Sequence, residues 1–255
     1  MGMKKRSRKR IRSWLLLVCG IILTGCQKET ETLVTTESLT EERIEQESTE
    51  EKQEIDWTEN IFAEESVFIS YPVFSFQESV DAEGINQRIQ EDALRVLEYF
   101  DVNIESDTLD ITYEIADITK EWISIVYCGS YSRADAAYPT EVKYTSNLSL
   151  TDGQHLRLSQ MESAAEAAQK IREGKYRVIG EEEERNAAVR EWVEGIAKED
   201  LIQSLEAADF GTESYESYPE WFSFWSTIEG KTQISIVMPV IHALGDYAVL
   251  EIFLE

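Results

Sequence analysis

Residues 122–158, WISIVYCGSYSRADAAYPTEVKYTSNLSLTDGQHLRL, are the stretch on which the fold prediction depends. Residues 122–127 are mostly β-branched or aromatic, which is typical of a strand, and residues 142–150 predict a second strand. Asp152-Gly153 predicts a hairpin turn, followed by a third strand at 155–158. Because a three-stranded meander must bury one face, we expect helices from elsewhere in the chain to pack on it.

Strands and helices are predicted on both sides of this stretch. Hydrophobic alternation and helical spacing predict strands at 65–76 (interrupted by Pro72), 108–118, 218–228, 232–237 and 247–254, and helices at 79–100, 160–173 and 181–205. A capping box at Ser159–Glu162 is expected to start the second helix, and Gly195 is expected to divide the third. The order strand, helix, strands, helices, strands predicts an α+β fold with an antiparallel sheet and helices packed on one side.

Residues 1–25 have the composition of a secretory leader. Seven basic residues lie within positions 4–12, and the apolar run that follows is shorter than the about 18 residues needed to span a bilayer. Leu-Thr-Gly-Cys at 23–26 resembles the bacterial lipobox, which implies cleavage before Cys26 and a diacylglyceryl group on its sulfur. We expect a lipid anchor in the cell membrane and a protein that faces the cell wall; the alternative is an uncleaved membrane anchor.

Residues 26–56 predict a disordered acidic linker behind the lipidated cysteine. Positions 27–56 hold ten glutamates and no aromatic residue, and such a segment cannot bury enough apolar surface to fold. It would hold the folded part, a single domain over residues 57–255, away from the membrane.

The charge of the chain limits its partners. The formal charge is −26, and loss of the seven basic residues with the leader takes the mature chain to −33. A surface this acidic repels nucleic acid and attracts basic proteins and cations. We therefore expect no nucleic-acid partner.

Candidates for catalysis or metal binding are scarce. With Cys19 in the leader and Cys26 lipidated, Cys128 is the one cysteine left for the mature domain, which predicts no internal disulfide and favours a small buried side chain over a reactive thiol. The two histidines, His155 and His242, lie in no zinc-binding spacing, and no phosphate loop or nucleophile motif is present. We predict no cofactor, no metal and no catalytic residue.

The folded part resembles a family of secreted bacterial domains. The family includes the extracytoplasmic domain of RsiV-type anti-sigma factors and the domain that precedes the deacetylase in PdaC-type peptidoglycan deacetylases. The matching features, in this order, are Tyr71-Pro72 before a helix with Ile85-Asn86, WISIVY at 122–127, Ala-Tyr-Pro at 137–139, NLSLTDGQHLRL at 147–158 and Ser-Gln-Met at 159–161.

The chain departs from this family at several places. It has Tyr138-Pro139 where the family often has His-Pro, and Ser149 where the family often has Asp. Neither a cytoplasmic sigma-binding segment nor a deacetylase domain is expected, so sigma-factor capture and deacetylation are not implied. RsiV-type domains bind lysozyme, so the resemblance implies partner binding.

Aromatic residues are the candidate contacts for such a partner. We select Tyr138, Pro139, Tyr215, Tyr218 and Trp221 as candidate ligand- or partner-binding residues, because Tyr and Trp rings stack on sugars and anchor protein interfaces. The alternative for the cluster at 215–225 is burial. Alternation along a strand puts Trp221 and Trp225 on one face and Phe222 and Phe224 on the other, and we expect the two phenylalanines in the core.

Two classes of function remain open, with a third below them. The first is a non-catalytic binding or sensing module at the cell wall, whose partner is a protein such as lysozyme or a glycan. The second is an enzyme or accessory factor acting on peptidoglycan, with two carboxylates as acid and base. The third is a structural module that serves another envelope protein.

Overall fold

The computed structural model describes residues 55–76, 81–211 and 218–253, and within them the chain forms nine strands and five α-helices. The leader, Cys26, most of the predicted linker and Tyr215 lie outside the described residues. The described residues belong to one compact unit. The predicted α+β class is confirmed. None of the described helices is long and apolar enough to cross a membrane.

Five strands form the first sheet, in the order β1-β2-β3-β4-β5. Their bounds are β1 Asp56–Glu64, β2 Val67–Ser75, β3 Thr108–Ile118, β4 Trp122–Ser132 and β5 Thr140–Ser149. Neighbours are antiparallel except β2 and β3, which run parallel from Val67 opposite Leu109 to Ile69 opposite Ile111. Pro72 lies beyond this parallel pairing, where β2 has only β1 beside it, so its missing N–H removes no bond to β3.

Helix α1 (Ala82–Tyr99) connects these two parallel strands and packs on the first sheet. Asp81 caps it by accepting a hydrogen bond from the Gly84 N–H. Its buried residues recur at helical spacing. The hydroxyls of Tyr127 on β4 and Tyr144 on β5 donate to its backbone, the second over 2.6 Å to the Ala93 carbonyl.

Four strands form the second sheet, in the order β6-β9-β8-β7, with every pair antiparallel. Their bounds are β6 Tyr176–Ile179, β7 Phe222–Ile228, β8 Lys231–Pro239 and β9 Tyr247–Ile252. The remaining helices are α2 Leu158–Met161, α3 Ala164–Arg172, α4 Glu183–Gly195 and α5 Lys198–Glu206, with a short 3-10 turn at His242–Leu244.

The core has two parts. One contains the inner face of the first sheet and α1, together with Phe210 and Phe222. The other contains the apolar faces of α3, α4 and α5 against the second sheet, with Trp225 fully buried among them. Strand β7 supplies residues to both parts, which is why neither of its faces is free.

Buried hydrogen bonds tie β7 to the first sheet. The Ser223 carbonyl accepts from Thr145 Oγ1 at 2.6 Å and from Asn147 Nδ2 at 2.8 Å. Asp209, which is 3% exposed, accepts from the backbone N–H and the hydroxyl of Ser223 and from the Leu158 N–H. Burial raises the pKa of Asp209 to about 6, although these donors act in the opposite direction.

Two local predictions were wrong. Residues 155–158 form no strand: His155 makes a single bridge to Leu148, and α2 starts at Leu158. The helix predicted at 160–173 is two helices, and Ser163, not Ser159, accepts the capping hydrogen bond, from the Glu166 N–H. Both serines precede a glutamate by three residues, so the capping pattern alone did not distinguish them.

Candidate binding surface

The structure separates the residues that the sequence singled out. Tyr138 and Pro139 lie on an exposed loop, residues 133–139, between β4 and β5. Tyr218 is partly buried and Trp221 is buried. Among the described residues, the ring contacts of Tyr138 and those of Tyr218 have no member in common.

Tyr138 is the most exposed large hydrophobic side chain of the described residues, at 74%. Its ring centre lies 6.2 Å from that of His242, and Ile241 beside His242 is 49% exposed. We call Tyr138, Pro139, Ile241 and His242 the Tyr138 surface. Neither Ile241 nor His242 could be selected for this surface from the sequence, because more than 100 residues separate them from Tyr138.

One carboxylate joins the His242 loop of this surface to the start of β5. Asp246 Oδ1 lies 2.8 Å from His242 Nδ1, and Asp246 Oδ2 accepts from the Glu141 N–H at 2.8 Å. Gly245 and Asp246 both have positive φ, at 91° and 64°, and this left-handed backbone suits glycine and aspartate better than other residues. The loop between β8 and β9 is thereby fixed beside the start of β5.

A second anchor comes from α4. Arg185 donates from Nε to the Leu244 carbonyl at 2.9 Å and from Nη2 to the Tyr247 carbonyl at 2.7 Å. The guanidinium thus satisfies the carbonyl at the end of the turn that carries His242 and the carbonyl of the first residue of β9. A loop held in this way loses little conformational freedom when it binds a partner.

The charges around the Tyr138 surface are mixed. Asp135 and Arg133 are both exposed and form an ion pair at 3.6 Å, and Glu141 is also exposed. An exposed aromatic ring beside a histidine, with an exposed isoleucine next to that histidine and charges at the margin, has the composition of a small protein-binding patch.

Tyr218 has a structural role. Its ring stacks on Tyr99 with centres 4.1 Å apart and meets Phe210 and Phe222 edge-on, and burial raises the pKa of its hydroxyl well above the usual value. Tyr99, at 47% exposure, is the ring of this group that reaches solvent. Sequence reasoning missed it, because a tyrosine at the end of a helix gives no signal of exposure.

Trp221 is also a core residue. It is 6% exposed and packs with Trp225 in the second part of the core, so it offers no surface to a ligand. Of the two phenylalanines expected in the core, Phe222 is buried and Phe224 is partly buried against the first part. Alternation predicted one buried face for this strand, whereas β7 has a core on both sides.

A buried polar centre lies under α1. Asp92, 1% exposed, accepts a 2.5 Å hydrogen bond from the Ser146 hydroxyl, and its carboxylate oxygens lie 2.9 and 3.0 Å from His155 Nε2. In a nucleophilic triad the histidine stands between the hydroxyl and the carboxylate. Here the carboxylate stands between the other two, so this arrangement ties β5 and the 149–155 turn to α1 and does not activate the serine.

The described residues contain no group of three or more His, Cys, Asp or Glu side chains placed to hold a metal ion. Cys128 is a free thiol that is partly buried on β4, with its sulfur 3.7 Å from the Thr112 hydroxyl. No protein-family model matches the chain, and no curated protein matches it.

Proposed function

We propose that the protein is a lipid-anchored, extracytoplasmic binding module that captures a basic protein at the cell wall through the Tyr138 surface. The single observation that carries the proposal is the exposure of Tyr138, whose ring lies 6.2 Å from that of His242 on a loop fixed by Asp246 and Arg185. The lipobox at residues 23–26 and the RsiV-type resemblance support the location and the class of activity.

The choice of a basic protein rests on charge and on the composition of the surface. A net charge of −26 attracts cationic proteins over a range of about 8 Å at physiological salt. Long-range attraction alone does not select a partner, and an anchor such as Tyr138 supplies the short-range contact that does. Lysozyme, a basic protein that acts on the cell wall, is the first probe.

The test is binding of lysozyme to the full chain in detergent, measured across a salt series. A second protein of the same basic charge is the control, because any cation is attracted to an acidic chain. Tyr138→Ala removes the ring, Tyr138→Phe keeps it without the hydroxyl, and Ile228→Ala removes a different exposed apolar side chain.

We expect lysozyme binding to persist at high salt. Tyr138→Ala is expected to weaken it at least about tenfold, as does loss of a residue at the centre of an interface. Ile228→Ala is expected to change it by less than about threefold. The proposal would be contradicted if salt weakens the binding of both proteins equally. It would also be contradicted if Tyr138→Ala leaves lysozyme binding unchanged. Binding of peptidoglycan fragments that depends on Tyr138 would move the ligand class to glycan.

A further inference from the structure

Strand β1 forms one edge of the first sheet, and its outer side is paired with no other described strand. It is nine residues long and pairs with β2 in unbroken register from Asp56 opposite Ser75 to Glu64 opposite Val67. The edge therefore presents a row of backbone N–H and C=O groups to which a further strand can hydrogen-bond.

The other strands at sheet edges differ. β5, at the opposite edge of the first sheet, hydrogen-bonds through Thr145 and Asn147 to the backbone of β7. β6 has only four residues, and β7 is itself held by those bonds. Among the described strands, β1 combines length with an uncovered edge.

Proteins usually protect such an edge with a short strand, a bulge, a proline or charged side chains. β1 is long and has no bulge and no proline. Its charges, on Asp56, Glu59 and Glu64, are exposed or half-exposed and all negative, and the hairpin from 55 to 76 contains four acidic residues and no basic one. These charges disfavour an acidic neighbouring strand and favour a basic one.

One face of the edge also exposes apolar side chains. Trp57 and Ile61 point to the same side of β1 because they are four residues apart, and they are 46% and 47% exposed. Phe68, opposite Ala63 on β2, adds a third side chain at 44% exposure. An added strand would therefore gain side-chain contacts on this face as well as backbone hydrogen bonds.

We propose that β1 accepts an extended, basic segment of a partner protein as a sixth strand of the first sheet. The negative charge of β1 favours a basic segment over a second copy of this chain. In a β1–β1 pair between two copies, no register places an opposite charge beside any of the carboxylates, because β1 has no basic residue. The register that pairs the whole strand also puts Asp56 opposite Glu64, and like charges at this distance are destabilising. A basic segment can match both the charges and the apolar side chains of β1. Its lysines or arginines would lie opposite Asp56, Glu59 and Glu64, and its aliphatic residues opposite Trp57 and Ile61.

The probe is the synthetic peptide KITVTKTVK, which in antiparallel pairing puts a lysine opposite each of the three carboxylates and valines opposite Trp57 and Ile61. Its control, EITVTETVE, has the same apolar pattern with the charge reversed. Two further versions of the basic peptide carry N-methyl groups at its odd or its even positions. Because a strand uses only alternate N–H groups toward one neighbour, strand addition predicts that one methylated version fails to bind and the other binds.

Binding is measured on the full chain in detergent, together with amide hydrogen exchange. We expect the basic peptide to bind and to slow exchange in β1, and the acidic peptide not to bind. Glu59→Lys is expected to weaken binding by roughly tenfold, since it replaces an attraction by a repulsion. Glu114→Lys, the same change at an exposed position of β3 in the same sheet, and Tyr138→Ala are expected to leave it unchanged.

Several results would overturn the proposal. Equal binding of the two methylated peptides would show that no strand is added, and equal effects of Glu59→Lys and Glu114→Lys would show unspecific charge attraction. Loss of peptide binding in Tyr138→Ala would place the site on the Tyr138 surface. A dimer of the full chain that the peptide dissociates would show that a second copy occupies the edge.

Discussion

At the scale of single residues, the two histidines form contrasting pairs with aspartates. His155 meets Asp92 with both side chains almost fully buried, whereas His242 meets Asp246 with 60% of the imidazole exposed. Removal of one partner from a buried pair leaves a polar or charged group without solvent or partner. The same removal at the surface leaves a group that water can solvate.

We therefore expect His155→Ala to lower the free energy of unfolding by roughly 3–5 kcal/mol, and His242→Ala to lower it by less than about 1 kcal/mol. Urea unfolding at neutral pH, followed by tryptophan fluorescence, measures both. Equal losses for the two variants would contradict the structural role assigned to the Asp92 centre.

Asp209 gives a prediction about pH. Its pKa is raised from 3.8 to about 6 by burial, so between about pH 4 and pH 6 the folded chain binds more protons at this residue than the unfolded chain. Its contribution to stability is complete below about pH 4 and is lost as the pH rises through 6. Since Asp209→Asn removes this titration, the stability of the wild type relative to the variant is expected to fall over that interval. A difference that does not change with pH would contradict the assignment.

At the scale of elements, Gly129 marks where two strands approach too closely for a side chain. A Cβ at this position on β4 would lie 1.8 Å from the Asp110 carbonyl oxygen of β3, a backbone atom that cannot move without disturbing the β3–β4 pairing. A Cβ added to Gly195, the last residue of α4, would have no atom of a neighbouring element within 4 Å.

The two glycines are therefore a matched pair for substitution. We expect Gly129→Ala to destabilise the fold by several kcal/mol, in the range of severe core mutations, and Gly195→Ala to be neutral or stabilising by up to about 1 kcal/mol. Thermal unfolding of the two variants measures this. A Gly129→Ala variant as stable as the wild type would mean that β3 and β4 do not pair in the described register.

Elements with strong local periodicity were predictable from the sequence. The bounds of β3 agree with the prediction of 108–118, because apolar and polar residues alternate through the strand. β6 was missed because four residues are too few to establish a period. The parallel pairing of β2 and β3 was also missed, since alternation tells which face of a strand is buried and not which strand lies beside it.

The candidate site shows the same limit. Tyr138 was selected from its type and its loop, and the structure places it on the surface. Trp221 was selected from its type, within an aromatic cluster on a predicted strand, and is buried in the second part of the core, because β7, which follows it, has a core on both sides. His242 and Ile241 joined the site only through a tertiary contact between distant loops, which no local pattern contains.

At the scale of the whole molecule, like-charge repulsion opposes folding. With a net charge of −26, the folded chain brings carboxylates closer together than the unfolded chain does, and salt screens this repulsion. We expect the free energy of unfolding to rise as sodium chloride increases from about 0.02 M to about 0.3 M, where the screening length falls below about 10 Å. Urea unfolding across this salt series measures the change, and a decrease with salt would show that ion pairs outweigh repulsion.

The position of β9 determines when the second sheet can form. β9 lies between β6 and β8, so β6, made at residues 176–179, has no described strand to pair with until residues 247–252 have been synthesised. Until then, the helices between β6 and β9 lack the complete sheet on which their apolar faces pack. Proteases and chaperones recognise chains with such exposed apolar surface. The second sheet is therefore completed late in the synthesis of each molecule. The strands of the first sheet come from earlier residues and can pair before it.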